Sequence, residues 1–224
     1  MVEKKKTKAA STKAGNAQAR VRRDPERTRA RILEAARIEF ARRGLGGARI
    51  DQITARADSN KRMIYYYFGN KEALFLAALE SAYADIREAE QSLKLIDLAP
   101  AEGMRRLVQF TWEYYLAHPE FITLLNSENL HRARHLRKSN QIRALHSPLV
   151  AMLERLLARG QRAGVFRRGV DPVQLYISIA ALGYFYLSNN HTLSTIFGQD
   201  LMRPQALRQR LAHMTALVLG YLSK

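Results

Sequence analysis

The feature that most constrains the fold of this chain is a pair of short helical patterns joined by only three residues. Apolar residues recur at helical spacing over residues 50–57 and again over residues 61–68, and Asp58, Ser59 and Asn60 separate the two patterns. Helices joined by so short a link must cross at a sharp angle. Asn60 is a good N-cap for the second helix, and Asp58 tolerates a left-handed turn conformation.

A helix precedes this pair and a long helix follows it. Asp24 as N-cap and Pro25 at the first helical position predict a helix that ends at Gly44. Lys71 begins a longer helix, to about Leu93, that connects two domains. We expect the apolar residues of the first three helices to form one core, namely Ile32, Leu33, Ala36, Phe40, Ile50, Ile53, Ile64 and Phe68.

Prolines and glycines divide the rest of the chain into five helical segments, near residues 101–117, 119–130, 138–163, 172–189 and 204–222. The strongest strand pattern is the aromatic run at residues 65–68, but it is short and lies within the helical register of its neighbours. The sequence therefore predicts an all-α protein of about nine helices, with an N-terminal three-helix helix-turn-helix domain and a C-terminal helical domain.

The positive charge of the chain lies mainly in its first third. The net charge is +17, of which residues 1–71 carry +12 and residues 72–224 carry +5. Such a field favours binding to a polyanion such as DNA, because each neutralised phosphate releases counterions. An anionic membrane and a solvated basic tail without a specific partner are the alternatives.

Residues 1–23 contain five lysines among small and polar residues, and predict a disordered basic arm. The chain has no cysteine, which excludes disulfides, thiolate metal sites and a cysteine nucleophile. The sequence contains no signal peptide and no apolar run long enough to cross a membrane, so we expect a soluble cytoplasmic protein without a membrane partner.

Little in the sequence favours an enzyme. It has no nucleophile elbow, phosphate-binding loop or zinc-protease motif, and its acidic residues are expected to pair with arginines on helix surfaces, as Glu88 with Arg87. We therefore expect no catalytic residues, no metal and no cofactor. An architectural DNA-binding protein without an effector would explain the charge, but it would leave the long apolar C-terminal domain unexplained.

Three stretches resemble the DNA-binding domain of TetR-family transcriptional regulators: GARIDQITARA at residues 47–57, NKRMIYYYF at residues 60–68 and NKEAL at residues 70–74. The family turn commonly has Ala-Gly-Val-Ser, whereas this chain has Ala-Asp-Ser-Asn at residues 57–60. The resemblance implies a homodimeric regulator, usually a repressor, whose DNA affinity falls when a small organic molecule binds the C-terminal domain. It assigns residues 24–71 to DNA binding and residues 72–224 to effector binding and dimerisation.

The resemblance also implies which side chains contact DNA. Lys61, Arg62 and Met63 match positions that approach base edges, and Arg49, Tyr65, Tyr67 and Lys71 match positions that contact phosphates. Asn60 and Tyr66 complete the set, although Tyr66 could be a packing residue and Met63 a gap filler. Lys61 and Arg62 favour DNA contact because their own short helix contains no acidic residue that could pair with them.

An effector pocket is expected among the aromatic residues of the C-terminal domain, with a few polar side chains that orient the ligand. The predicted lining residues are Phe110, Trp112, Tyr115, Phe121, Asn126, Asn129 and Tyr184. Plain core packing is the alternative for each of them. The basic residues between positions 132 and 143 form either a solvated loop or a binding site for the anionic group of an effector.

The last two helical segments, residues 172–189 and 204–222, carry apolar residues on more than one face. A helix that is apolar on two faces needs two packing partners, so we expect a homodimer in which both segments meet their copies in a four-helix contact. Such a dimer would bind a near-palindromic DNA operator. The alternative is a monomer whose core buries both faces.

Overall fold

The computed structural model describes residues 25–224, apart from the side chains of Arg143 and residues 145–147. The predicted basic arm and the predicted cap Asp24 lie outside the described residues. The helices are α1 (Pro25–Gly47), α2 (Ile50–Arg56), α3 (Lys61–Phe68), α4 (Lys71–Ser92), α5 (Pro100–Ala117), α6 (Pro119–Leu130), α7 (Asn140–Arg162), α8 (Pro172–Ser188), α9 (Asn190–Phe197) and α10 (Pro204–Leu222). Short 3-10 turns lie at Leu95–Asp97 and Leu136–Lys138.

The all-α prediction is confirmed, and the described part of the chain has one α-helix more than the nine that the sequence predicted. Residues 25–224 form ten α-helices and two 3-10 turns, and α9 is the helix that the sequence did not predict. This helix has eight residues, none of them buried, so it lacks the apolar stripe by which the others were found. Gly198, with φ 63°, ends it in the left-handed conformation that glycine adopts most easily.

The N-terminal core forms as predicted. Ile32, Ala36, Phe40, Ile53 and Ile64 are fully buried, while Leu33 and Ile50 are partly buried at the edge of the same cluster. The first helix is interrupted at Gly44, where φ is 63°, and one further turn continues to Gly47. The kink redirects the chain towards α2.

The helix α4 joins the two halves of the molecule. Its apolar face is buried over Leu74, Phe75, Ala78, Leu79 and Ala82, as the sequence predicted. The Phe75 ring meets the Phe40 ring of α1 edge-on, with 5.1 Å between the ring centroids.

The helix α6 also contacts the N-terminal part of the molecule. Beside the kink of α1, the backbone amide of Leu45 donates a hydrogen bond to Ser127 Oγ over 3.2 Å. Both α4 and α6 therefore contact α1 directly. No helix among residues 25–224 has the length and apolar character that crossing a membrane requires.

Candidate nucleic-acid interface

The turn between α2 and α3 has the geometry that its residues predicted. Asp58 adopts a positive φ of 44°, and Asn60 caps α3 because its Oδ1 accepts a hydrogen bond from the Met63 amide over 3.1 Å. Arg31 of α1 lies beside the turn, with its Nη1 3.6 Å from Asp58 Oδ2. Both side chains are exposed, so this ion pair contributes little to the position of Asp58, which stands where the family commonly has glycine.

The helix α3 divides its side chains between the core and solvent. Ile64 and Phe68 point inwards and are buried, whereas Arg62 is exposed. Tyr65 is 50% exposed and Tyr66 is 76% exposed. Tyr66 is therefore not a core packing residue among residues 25–224, which was the alternative to DNA contact. The partly buried residues Met63 and Tyr67 lie between these two faces. The exposed arc contains the side chains that the resemblance assigned to DNA.

The sequence argument for Lys61 needs a correction. Lys61 Nζ lies 2.8 Å from Asp51 Oδ1, so an acidic partner comes from α2 although α3 itself has none. The hydrogen bond with Asp51 raises the pKa of Lys61, and the same contact lowers the pKa of Asp51. Both side chains are more than half exposed, so this ion pair is weak and a phosphate can replace its carboxylate.

The remaining predicted DNA contacts flank α3. Arg49 is exposed at the N-terminus of α2, where its backbone amide donates to Glu39 Oε1 over 3.1 Å and is thereby held on α1. Lys71 is the first residue of α4, which Asn70 caps by accepting from the Ala73 amide over 2.8 Å. Arg49 therefore lies at the start of the helix that precedes α3, and Lys71 lies three residues beyond the end of α3.

The predicted effector residues form mostly a packed aromatic core. Tyr115 stacks on Phe121 with 5.9 Å between ring centroids, and burial raises the pKa of the Tyr115 hydroxyl. Trp112 is buried against Tyr186. Phe110 is only partly buried and lies beside Tyr114.

The three polar residues of the predicted effector set do not form one group. The hydroxyl of Tyr184 donates a hydrogen bond to Asn126 Oδ1, which ties α8 to α6. Asn129 is exposed, and its amide donates to the Leu125 carbonyl of its own helix over 3.0 Å. One residue of the predicted set, Asn129, therefore lies on the surface. The polar side chains of the set already form hydrogen bonds within the protein.

A buried ion pair on α4 was missed by the sequence analysis. Arg87 is 2% exposed and pairs with Glu90 at 2.7 Å, rather than with Glu88 on the helix surface as expected. Arg87 Nη2 also donates to the Tyr176 hydroxyl over 3.0 Å. The pattern of charges along α4 gave no signal of this pair, because charged residues on a long helix are normally solvated.

The basic segment that follows α6 is tied to α4 and to α6. Arg134 Nη2 lies 2.5 Å from Glu72 Oε1, and Ser139 Oγ donates to Glu80 Oε1 over 2.6 Å. His135 is buried, with its Nδ1 2.6 Å from Glu128 Oε2. Arg132, Arg137 and Lys138 remain exposed. The segment is therefore held against α4 and α6, while its basic side chains at positions 132, 134, 137 and 138 are exposed to solvent.

Comparisons with known proteins agree with this architecture. Residues 32–78 match the family model described as bacterial regulatory proteins, tetR family, and residues 100–218 match the model of a tetracyclin repressor-like C-terminal domain. The chain is 47% identical over 195 residues to the HTH-type transcriptional repressor NicS of Pseudomonas putida, which covers 87% of this chain and 92% of that repressor. The chain belongs to the TetR family of transcriptional regulators. The expectation that it is not an enzyme is confirmed by this membership.

Further relatives of this TetR-family regulator are consistent with that assignment. The HTH-type transcriptional repressor SCO4008 of Streptomyces coelicolor is 46% identical over 109 residues, 48% of this chain and 53% of that protein. Among solved structures, the transcriptional regulator SCO4942 of the same organism is 26% identical and covers 87% of this chain and 98% of its own, with a TM-score of 0.67.

The last helices of this TetR-family regulator carry the two apolar faces that the sequence predicted. Ile179 of α8 and Met214 of α10 are buried within the chain. On the outer faces, Ile177, Phe185 and Leu217 are about half exposed. A groove of about 420 Å³ runs between α8 and α10 and includes Phe185 and Leu217 in its lining.

Proposed function

We propose that this TetR-family regulator is a repressor that binds a near-palindromic operator as a homodimer and is released by a small organic effector. The observation that carries the proposal is the exposed arc of α3, where Arg62, Tyr65 and Tyr66 project from a helix whose opposite face is fixed in the core. A short helix held in this way can enter a major groove. Repression is supported by the names of the relatives NicS and SCO4008.

In this proposal the DNA contacts divide into two classes. Lys61, Arg62 and Met63 approach base edges, where Lys61 can also meet a phosphate, and Arg49, Tyr65, Tyr67 and Lys71 contact phosphates on either side. Asn60 holds the N-terminus of α3 in position, and Tyr66 extends from the exposed arc. Residues 24–71 supply this binding, and the basic arm at residues 1–23 adds affinity that does not depend on sequence. A protein that binds chromosomal DNA in this way works in the cytoplasm.

The helices α8 and α10 support the homodimer because each has an inner and an outer apolar face. Their outer apolar residues lie on neighbouring helices, so a twofold copy of the same surface can cover them. The domain at residues 72–224 then holds two α3 helices at a fixed distance. An effector lowers operator affinity if it binds more tightly to a conformation in which the two α3 helices are at a different distance. A coupling of 1–3 kcal/mol corresponds to a loss of about 5- to 150-fold.

The test compares binding to a promoter fragment and to random DNA by gel shift. Arg62→Ala should relax base preference at one position, with a loss of about 1–3 kcal/mol if the contact is bidentate. Deletion of residues 1–20 should instead weaken binding to all DNA and flatten its salt dependence, by roughly 0.9 in the log–log slope for each phosphate that the arm no longer neutralises. Equal loss of specificity from both changes would contradict the proposed division of contacts.

A second variant uses the ion pair between α2 and α3. Asp51→Asn removes the carboxylate that holds Lys61 and leaves the lysine free to meet a phosphate. Binding should become tighter and the log–log salt slope should steepen by about 0.9. The matched control is Asp97→Asn, which removes an exposed carboxylate far along the chain. An identical response of both variants would show a general charge effect, which contradicts the role assigned to Lys61.

A further inference from the structure

A cavity of about 280 Å³ lies beside the C-terminal part of α4, where the 3-10 turn Leu95–Asp97 and α7 close around it. Its apolar lining includes Leu95, Leu149 and Met152. The turn is held on α7 by Arg159, whose Nη2 donates to the Leu98 carbonyl over 2.9 Å and whose Nη1 donates to the Ile96 carbonyl. The cavity therefore has a fixed wall rather than a loose one.

Two residues of the cavity lining, Arg87 and Glu90, carry buried polar atoms that lack a hydrogen bond. Arg87 Nε, Arg87 Nη1 and Glu90 Oε2 are buried and have no hydrogen-bond partner among residues 25–224. Nη1 and Oε2 are 2.7 Å apart, which makes an ion pair whose angles do not form a hydrogen bond. Buried polar groups are normally hydrogen-bonded, so Arg87 Nε, which has no acceptor among residues 25–224, indicates a missing acceptor, while Nη1 has only the ion pair with Glu90.

The charge of the lining indicates the sign of that acceptor. Arg87, Lys94 and Arg155 line the cavity together with a single carboxyl group, that of Glu90. Arginine presents its donors in a fork that matches the two oxygens of a carboxylate. The cationic lining therefore fits an anionic head group, and the apolar residues fit an organic body.

We propose that this cavity binds a small organic carboxylate, whose oxygens accept from Arg87 and whose apolar body packs on Leu149 and Met152. Arg155 and Lys94 add attraction for the negative charge. The binding site stands on its own observations, and only its effect on DNA rests on the proposed function. None of the residues Phe110, Trp112, Tyr115, Phe121, Asn126, Asn129 and Tyr184 lines this cavity, so the site differs from the pocket expected from the sequence.

Glu90 makes binding depend on pH. Burial raises the pKa of its carboxyl group to about 7, while the neighbouring Arg87 opposes the rise. The other titratable groups near this pair are Tyr83 of α4, Lys94 just after α4, Tyr114 and Tyr115 of α5, Arg155 of α7 and Tyr176 of α8. A carboxylate ligand next to Glu90 favours its protonated form, so binding takes up a proton and weakens as the pH rises.

The position of the cavity connects it to the DNA-binding helices. Arg87 and Lys71 lie on the same helix, separated by 16 residues, so roughly 24 Å of rigid helix joins them. The Phe75 ring on this helix contacts the Phe40 ring of α1. A ligand that moves α4 relative to α7 therefore also moves the base of the helix-turn-helix domain.

The test measures binding of three carboxylates, benzoate, cyclohexanecarboxylate and hexanoate, to the full chain by titration calorimetry. Their uncharged amides serve as matched probes. At least one carboxylate should bind, and its amide should bind at least tenfold more weakly. Affinity should fall by up to about tenfold per pH unit above pH 7 in the wild type, and Glu90→Gln should remove this dependence.

Variants at exposed positions test binding without disturbing the fold, because exposed side chains contribute little to stability. Arg155→Gln should weaken carboxylate binding several-fold, whereas Arg162→Gln, on the same helix outside the cavity, should leave it unchanged. The proposal is overturned if no carboxylate binds at millimolar concentration, if the amides bind equally well, or if the two variants behave alike. Binding that depends on Arg155 but leaves operator affinity unchanged supports the site and overturns effector release.

Discussion

Ser59 shows how a single residue departs from the family pattern at a structural cost. It stands where the family turn commonly has a buried valine, and its Oγ is buried without a hydrogen-bond partner in the described part of the chain. Ser59→Val should raise the free energy of unfolding by about 1 kcal/mol, because an unpaired hydroxyl is replaced by apolar groups. For a chain of this size the melting temperature should then rise by roughly 2–4 °C.

Thermal unfolding followed by circular dichroism checks this prediction. Ser59→Ala is the matched control, since it removes the hydroxyl without filling the space and should give a smaller gain. A lower melting temperature for Ser59→Val than for the wild type would mean that the hydroxyl has a partner or that valine does not fit the turn.

Residue types predicted local backbone geometry well and long-range pairing poorly. The positive φ of Asp58 and the cap by Asn60 follow from preferences of single residues, and both are confirmed. The partners of Lys61 and Arg87 could not be predicted in this way. Asp51 reaches Lys61 only because α2 and α3 cross, and Arg87 is buried only because other helices cover α4. The roles of the DNA-contacting residues remain predictions.

At the scale of helices, apolar periodicity predicted nearly every element, since each long helix buries one stripe. The helix α9 has no such stripe, and the 3-10 turns are only three residues long. The cavity beside α4 could not be predicted either, because its walls come from segments about 60 residues apart in the chain. Periodicity locates helices, but it does not indicate where two of them leave space.

A glycine within α7 determines how closely the next segment can approach it. A Cβ added to Gly160 would lie 1.9 Å from Cδ2 of Phe166, whose ring is buried against the helix. Gly160→Ala should therefore lower the free energy of unfolding, by about 1–3 kcal/mol, because the ring must move out of its position. Urea unfolding measures this loss.

Two further variants identify the cause of that loss. Gly46→Ala is the control, since nothing lies within 4 Å of its added Cβ, and it should not destabilise the protein. Combining Gly160→Ala with Phe166→Leu should cost less than the sum of the two single changes, because the smaller side chain leaves room for the methyl group. Strict additivity would show that the ring is not the obstacle.

At the scale of the whole molecule, the buried Glu90 links global stability to pH. Its pKa is raised from 4.5 to about 7 by burial, so the folded state favours the protonated carboxyl group. The resulting stabilisation is complete below about pH 4.5 and is lost as the pH rises through 7. The corresponding free energy is on the order of 3 kcal/mol.

Urea unfolding between pH 5 and pH 8 measures this dependence as a difference between variants. Glu90→Gln should gain stability relative to the wild type as the pH rises, because the glutamine never ionises. Glu154→Gln, at an exposed position of α7, is the control and should follow the wild-type profile. A constant difference between Glu90→Gln and the wild type across this range would mean that Glu90 does not titrate there.

The outer apolar faces of α8 and α10 are the surfaces on which the proposed dimer depends. Phe185 is 58% exposed beside Leu217, in a chain whose other aromatic residues on α8 are at least partly buried. Phe185→Glu should convert the proposed dimer into a monomer, because a charge at the centre of an apolar contact loses its solvation there. Light scattering should then give the mass of one chain, with the helical circular dichroism unchanged.

Leu130→Glu is the matched control, since Leu130 is 84% exposed on α6 and lies outside the groove between α8 and α10. It should leave the mass of the dimer unchanged. The monomeric variant should also lose operator affinity steeply while it retains weak binding to a half-site, since only a dimer can hold two α3 helices one DNA turn apart, about 34–36 Å. A wild-type mass of one chain, or full operator affinity in the monomeric variant, would contradict the twofold arrangement and with it the near-palindromic operator.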